Sequence, residues 1–319
     1  MSTDKRKYTR FVFPEDLEKI NPQNLDLLNK YILGKRNLSE TSRNAYINDF
    51  QSFFVYILKN YNNKFLFDFE VEEAAEMIDD YISFCMSILG NSERRASRRT
   101  SSISSLYMFY KKRRKIKENP VELLERVRAT TGQYVADHIF LTAEQVELIR
   151  QGIKDNPDTQ LELYFELSLF TMARISAICS INIKQINLEQ KVISGIKEKE
   201  GYIVNFFLSD KVRDLISKWI DERKKNNIKS KLLFCTKNGA DAKSMIQTTY
   251  VKKLSSYAGV KGVTAHCLRR TGSSLRKKAG MALEDISKLL NHRSTAVTQQ
   301  FYIEEDFAKL QDEVERYDI

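Results

Sequence analysis

Apolar residues recur three and four positions apart along most of this chain. The first clear run, Leu25, Leu27, Leu28, Tyr31, Ile32 and Leu33, predicts a helix over 21–34 closed by Gly34. A second helix follows in NLSETSRNAYINDFQSFFVYILKN, with Ser39 or Thr41 as its cap. Its buried face would carry Tyr46, Ile47, Phe50, Phe53, Phe54 and Ile57, an aromatic stripe best read as packed core. A third helix spans 74–89 and stops at Gly90-Asn91. Ile103, Leu106, Phe109 and Tyr110 give a fourth an apolar side, and Asn119-Pro120 ends that element.

After a loosely patterned stretch the periodicity resumes at LTAEQVELIRQGI, a helix capped by Thr142 with Glu144 or Gln145 in its first turn. LELYFELSLFTMARISAICSI is longer and strongly apolar, and predicts a central helix running through Arg174. KVISGIKEKEGYIVNFFLS alternates with β-branched residues and turns near Glu200-Gly201, a hairpin whose first strand carries Lys197 and Lys199 on one face. A short strand at Leu232-Leu233-Phe234 and a helix over 247–258 lead to His266. Beyond the Gly280 break, Met281, Leu283, Ile286, Leu289 and Leu290 predict a short helix ending at His292. The fold class is therefore mainly α: an N-terminal helical domain over 1–126, a linker over 127–139, and a mixed, mostly helical domain over 140–302 with a small antiparallel β-sheet. A tail helix over 303–319 would follow.

The length, 319 residues, gives each domain room for its own core. Cys85, Cys179, Cys235 and Cys267 lie far apart without a CxxC spacing, which reads as reduced thiols in a cytoplasmic protein with no metal site. The basic start is not followed by an apolar run, and no stretch approaches a membrane span, so neither a signal peptide nor a membrane partner is expected. The net charge of +10 favours a polyanion, but its placement says more. Ten Lys or Arg and one acid lie between Glu93 and Lys117. A solvated face usually mixes signs, whereas these clusters bracket a packed helix with one sign. Arg94, Arg95, Arg98, Arg99, Lys111, Lys112, Arg113 and Arg114 are thus candidate phosphate contacts, which would position a duplex without reading its sequence. Residues 303–319 invert the balance, with seven acids against two bases and Phe307, Leu310, Val314 and Tyr317 on one face. Such a tail suits a groove on protein.

The candidate chemistry gathers late in the chain. Two of the three histidines, His266 and His292, fall within 37 residues that also hold Arg269 and Tyr302. His266 and Arg269 are one helical turn apart and can face a single point. Arg174 stands in an apolar segment with no acid nearby in sequence. It pairs with a distant carboxylate, or it binds phosphate. Together these groups suit a phosphodiester.

The residues ARIS, HCLRRT, LLNHRS and QQFY, in that order with a lysine hairpin between the first two, resemble the boxes of the tyrosine recombinases, also called phage integrases. The resemblance runs over roughly residues 20–319 and is most specific in the C-terminal half. It implies a helical, SAM-like core-binding domain followed by a catalytic domain, a two-domain type without an arm-binding domain. It also implies a site-specific recombinase of a mobile element that cleaves and rejoins DNA through a 3′-phosphotyrosine, with no cofactor. Tyr302 would be the nucleophile, Arg174 and Arg269 the phosphate clamp, His266 the acid/base group and His292 a phosphate hydrogen-bond donor. Lys199 would protonate the 5′-oxygen; counting forward from Arg174 instead lands between Lys197 and Lys199. The implied partners are double-stranded DNA with paired core sites, three further copies in a tetramer with the tail docked in trans, and an accessory or directionality factor. Ala177 stands where Glu usually follows the first box, Arg270 where His is frequent and Asn291 where Gly is usual, which suggests distance from the Xer enzymes of chromosome dimer resolution. The competing expectations are that Xer role, a type IB topoisomerase and a non-catalytic DNA-binding regulator.

Overall fold

A computed structural model describes residues 10–36, 38–125, 139–198, 201–291 and 295–302. The chain divides into two compact units, Met1–Thr131 and Gly132–Ile319. Most of the sequence expected as linker (127–139), and the whole tail (303–319), lies outside the described residues. Among the described residues no helix is long and apolar enough to cross a membrane.

The first unit is helical: α1 (Pro14–Leu17), α2 (Pro22–Gly34), α3 (Glu40–Asn60), α4 (Val71–Ser87) and α5 (Glu93–Lys111). Its helices start where short polar side chains can accept orphan amide protons. Asn21 accepts from Gln23 N–H, Ser39 rather than Thr41 accepts from Ser42 N–H, and Ser92 accepts from Arg95 N–H. The aromatic stripe of α3 is core as expected, with Phe50, Phe53 and Phe54 fully buried. Tyr31 of α2 meets Phe50 edge-on at 6.0 Å and Phe109 of α5 at 5.3 Å. Its hydroxyl donates to Ser105 at 2.8 Å, which gives this buried phenol its polar partner.

The second unit runs through α6 (Ala143–Asp155), α7 (Thr159–Thr171), α8 (Ile175–Ser180), strands β1 (Ile186–Asn187), β2 (Val192–Lys197) and β3 (Ile203–Phe207), and α9 (Asp210–Lys225). Next comes α10, which passes from Lys243–Met245 through a π turn at Ile246–Tyr250 into Val251–Tyr257. The unit's described part closes with α11 (Ala265–Lys278), α12 (Leu283–Leu290) and α13 (Thr295–Tyr302). The strands form one antiparallel sheet in the order β1-β2-β3. Thr142 caps α6 reciprocally with Gln145. No strand forms at Leu232-Leu233-Phe234; Leu233 and Phe234 are fully buried, and Leu232 makes only a single bridge to Asn182. That apolar run serves the core rather than a ladder.

The central segment departs from a single helix. It stops at Thr171, Met172 turns left-handed (φ 53°), and α8 begins afresh after Arg174. The cause is tertiary. The orphan carbonyls at the end of α7 are taken by two arginines of α11: Arg269 donates to Met172 O at 2.5 Å, while Arg276 donates to Leu169 O at 3.0 Å and to Phe170 O. This needs close approach. A Cβ on Gly272, between those arginines, would lie 2.4 Å from Leu169 O, so only glycine fits without a shift. The break swings Arg174 out of the apolar run and into the position preceding α8.

Candidate active site

Four sequence-predicted residues, Arg174 before α8, His266 and Arg269 on α11 and Tyr302 at the end of α13, come within electrostatic range of one another. Arg269 is 1 % exposed; besides Met172 O, its guanidinium donates to Leu290 O at 2.6 Å. Its charged carbon stands 5.3 Å from the centre of the Tyr302 ring. Burial, aided by the charge of Arg174 and opposed by the Tyr302 phenol, lowers the Arg269 pKa to about 10. The group still carries its proton at neutral pH. Tyr302 ends α13 and packs, half-buried, on the small apolar cluster of Met172, Ile286 and Leu290.

His266 is exposed, one turn before Arg269 on α11, whose start is capped by Thr264 accepting from Cys267 N–H. The surrounding protein lowers its pKa, and the positive charges of Arg270, Arg269 and Arg174 add to that effect. Arg174 is 27 % exposed and forms an ion pair with Glu198, whose side chain is only 2 % exposed. The distant carboxylate raised by the sequence is therefore present, and the pair sits within electrostatic range of Arg269. His292 and Lys199 lie outside the described residues. Lys197 is described, exposed at the end of β2.

Two members of this cluster were not among the sequence-predicted residues. Arg270 is half-buried, and its charge acts on both His266 and Tyr302. Glu198 hides in the KEK of the hairpin, where the lysines draw the eye. The cluster thus sets three guanidiniums and an imidazole beside one phenol and one buried carboxylate. That excess of fixed positive charge suits an anion with several oxygens.

The proposed DNA contacts in the first unit divide. Arg94, Arg95, Lys112 and Arg114 are exposed. Arg98 pairs with Asp49 at 2.7 Å and Lys111 with Glu122 at 2.8 Å, and Arg113 lies 3.5 Å over the Phe109 ring. Arg99 corrects the sequence reading. It is 5 % exposed, and its guanidinium donates to Ser52 Oγ, Tyr81 Oη and Cys85 Sγ, so it is a core residue. An open groove of about 1540 Å³ runs along α5, lined by Lys35, Ser97, Ser101, Ser104, Lys112 and Arg113 among others. Lys35 and the serine face carry no single-sign cluster and went unnoticed for that reason.

A helical unit, together with a mostly helical unit that carries a small antiparallel sheet and this Arg–His–Arg–Tyr cluster, defines the class of enzymes that break and rejoin DNA strands. Residues 139–309, more than half of the chain, match the family model described as the phage integrase family, and the chain belongs to that family. It is a tyrosine recombinase. The tyrosine recombinase XerC of Syntrophus aciditrophicus is 22% identical over 296 residues, 85% of this chain and 90% of that protein. The XerC of Corynebacterium glutamicum is 23% identical over 240 residues, 70% of this chain and 76% of that protein. In fold the chain is similar to the XerH site-specific recombinase bound to a palindromic difH substrate in a post-cleavage complex, with a TM-score of 0.72 at 18% identity, covering 96% of this chain and 93% of that one.

Proposed function

We propose that the protein is a site-specific recombinase of a mobile element, acting on duplex DNA with paired core sites. Tyr302 attacks the scissile phosphate, forms the 3′-phosphotyrosine and releases a 5′-hydroxyl. The observation that carries this reading is the Arg269 guanidinium against the Tyr302 ring, with Arg174 and His266 in electrostatic range. Fixed positive charge of this kind stabilises the pentavalent transition state, where negative charge on the phosphoryl oxygens is greatest. Arg174 and Arg269 bind the non-bridging oxygens, His266 moves protons at the nucleophile, Lys199 protonates the leaving 5′-oxygen and His292 donates to the phosphate. The covalent link conserves the energy of the phosphodiester for rejoining.

The exposed lysines and arginines around α5 hold the duplex, four copies assemble on two sites, and the acidic tail docks on a neighbour. The XerH structure named above is a DNA complex, and a lambda integrase whose tetramer is bound to a Holliday junction has a TM-score of 0.64 to this chain at 17% identity. The deciding experiment selects bound duplexes from a random pool and places two copies of the selected site on one supercoiled plasmid. The full chain should give recombinant products, while a chain lacking residues 303–319 should bind one site and give none. Relaxation of a plasmid with no site would favour the topoisomerase reading. A selected site near a replication terminus rather than beside the gene would favour dimer resolution.

His266 makes the pH dependence specific. Its pKa lies below the ordinary 6.5, so the imidazole stays neutral and able to accept a proton further into acid than a free one. The acid limb of the cleavage rate should therefore fall below pH 6.5, and His266→Gln should remove it. The sign for stability is the same. The unfolded imidazole binds its proton first, so the His266 contribution is lost as pH falls through the folded value. An acid limb at or above 6.5 that persists in His266→Gln would assign the titration to another group.

A further inference from the structure

We propose that Glu198 is a positioning residue for Arg174, holding one edge of its guanidinium so that the other edge is presented to the scissile phosphate. This rests on the reading of Arg174 as a phosphate ligand. The register of the hairpin supports it. Between β2 and β3, Ile193 faces Phe206 and Ile196 faces Val204, so β2 carries one residue more than its partner. The bulge occupies Ser194 and Gly195, and Gly195 takes a φ of +74° that suits glycine. An extra residue exchanges the two faces of a strand. Without it Lys197 would share the inward face with Ile193; with it Ile196 and Glu198 turn inward and Lys197 outward. The bulge is fixed by Gly195 N–H donating to Asn205 at 3.1 Å and by Gln185 donating to Gly195 O at 2.8 Å. At the strand end Glu198 N–H donates to Tyr202 O at 2.7 Å, which holds the residue at the base of the turn.

The carboxylate delivered this way is costly. Glu198 Oε1 is buried without a hydrogen-bond partner among the described residues, and Oε2 meets Arg174. An acid buried to this extent destabilises the fold unless a cation compensates it. No acid on α8 could replace it: the helix reads ISAICS, and Ala177, one turn beyond Arg174, is 1 % exposed with only a methyl side chain. Arg174 itself remains 27 % exposed, so the pair leaves part of the guanidinium open. A planar fork gripped at one nitrogen has little rotational freedom left, and such orientation prepares it for bidentate contact at the other edge.

The test measures covalent adduct formation on a nicked duplex carrying the site selected from a random pool, using the full chain. Glu198→Ala should slow adduct formation by ten- to a hundred-fold with the dissociation constant for the duplex changed less than about threefold, and Glu198→Gln, which keeps an acceptor of the same shape, should recover part of that loss. In an Arg174→Ala background Glu198→Ala should have no further effect, because its only route to the reaction is gone. An equal loss in both backgrounds would mean general structural damage and overturn the proposal. An unchanged or faster Glu198→Ala would overturn it as well, the faster case marking an inhibitory contact. Should Glu198→Ala not fold, as judged by its melting curve, Glu198→Gln carries the same comparison. If Arg174→Ala alone cleaves at the wild-type rate, the phosphate-ligand reading fails first.

Discussion

Tyr302→Phe is expected to abolish covalent capture of DNA while leaving folding and duplex binding unchanged. The substitution removes one oxygen and keeps the ring. The ring packs on Met172, Ile286 and Leu290, and its centre stands 5.3 Å from the Arg269 guanidinium carbon, so both contacts persist in phenylalanine, and the structural loss is confined to the hydroxyl's hydrogen bond with Arg269. What disappears is the only atom on that side chain able to attack phosphorus. Loss of a nucleophile costs at least ~10³-fold, and a neighbouring water cannot form the protein–DNA link at all. On a nicked duplex that traps the intermediate, denaturing electrophoresis should show an adduct for the wild type and none for the variant, with matching gel-shift affinities. An adduct formed by Tyr302→Phe would transfer the nucleophile to another of the fifteen tyrosines. A variant that also fails to bind or fold would contradict the packing described above.

The helices were legible because burial on one face repeats at the helical period, and caps such as Ser39 and Thr142 mark their starts. The His266–Arg269 pair was legible for the same reason, since one turn fixes their common direction. The break before Arg174 was not, because nothing in TMARIS resists a helix. The interruption is imposed by Arg269 and Arg276, a hundred residues away, bonding the carbonyls of the last turn of α7. Arg99 misled in the opposite sense. Its neighbours form a single-sign cluster, but its own hydrogen bonds run to Ser52, Tyr81 and Cys85, and burial of that kind leaves no trace in local charge. Glu198 shows a third limit. Strict alternation would place it on the solvent side of β2, and one bulged residue reverses that assignment.

In the proposed reading Arg269 carries two duties at once, structural and catalytic, and its replacement should show both. Two of its nitrogens bond buried backbone carbonyls, Met172 O at the end of α7 and Leu290 O at the end of α12. Those bonds hold together the helix ends from which Arg174 and the chain toward Tyr302 emerge. Arg269→Ala leaves both carbonyls without these donors in a site of 1 % exposure, at a cost of about 1–3 kcal/mol each. Removing a poorly solvated cation offsets part of that, so a net loss of about 2–4 kcal/mol is expected, or on the order of 5–10 °C in Tm for a unit of this size. The catalytic loss is separate. Removing a preorganised phosphate ligand costs on the order of 10²–10³-fold in cleavage, read on the same nicked duplex well below the variant's Tm. Arg269→Lys divides the two effects. An ammonium keeps the charge and can reach one carbonyl, but it lacks the planar fork that spans two helix ends. It should melt between the wild type and Arg269→Ala while still cleaving at least about tenfold slower than the wild type. If Arg269→Ala melts with the wild type, the bonds to Met172 and Leu290 are not structural. If it cleaves within tenfold of the wild type while folded, the phosphate ligand is another cation, and Arg270, half-buried beside Tyr302, is the first to substitute.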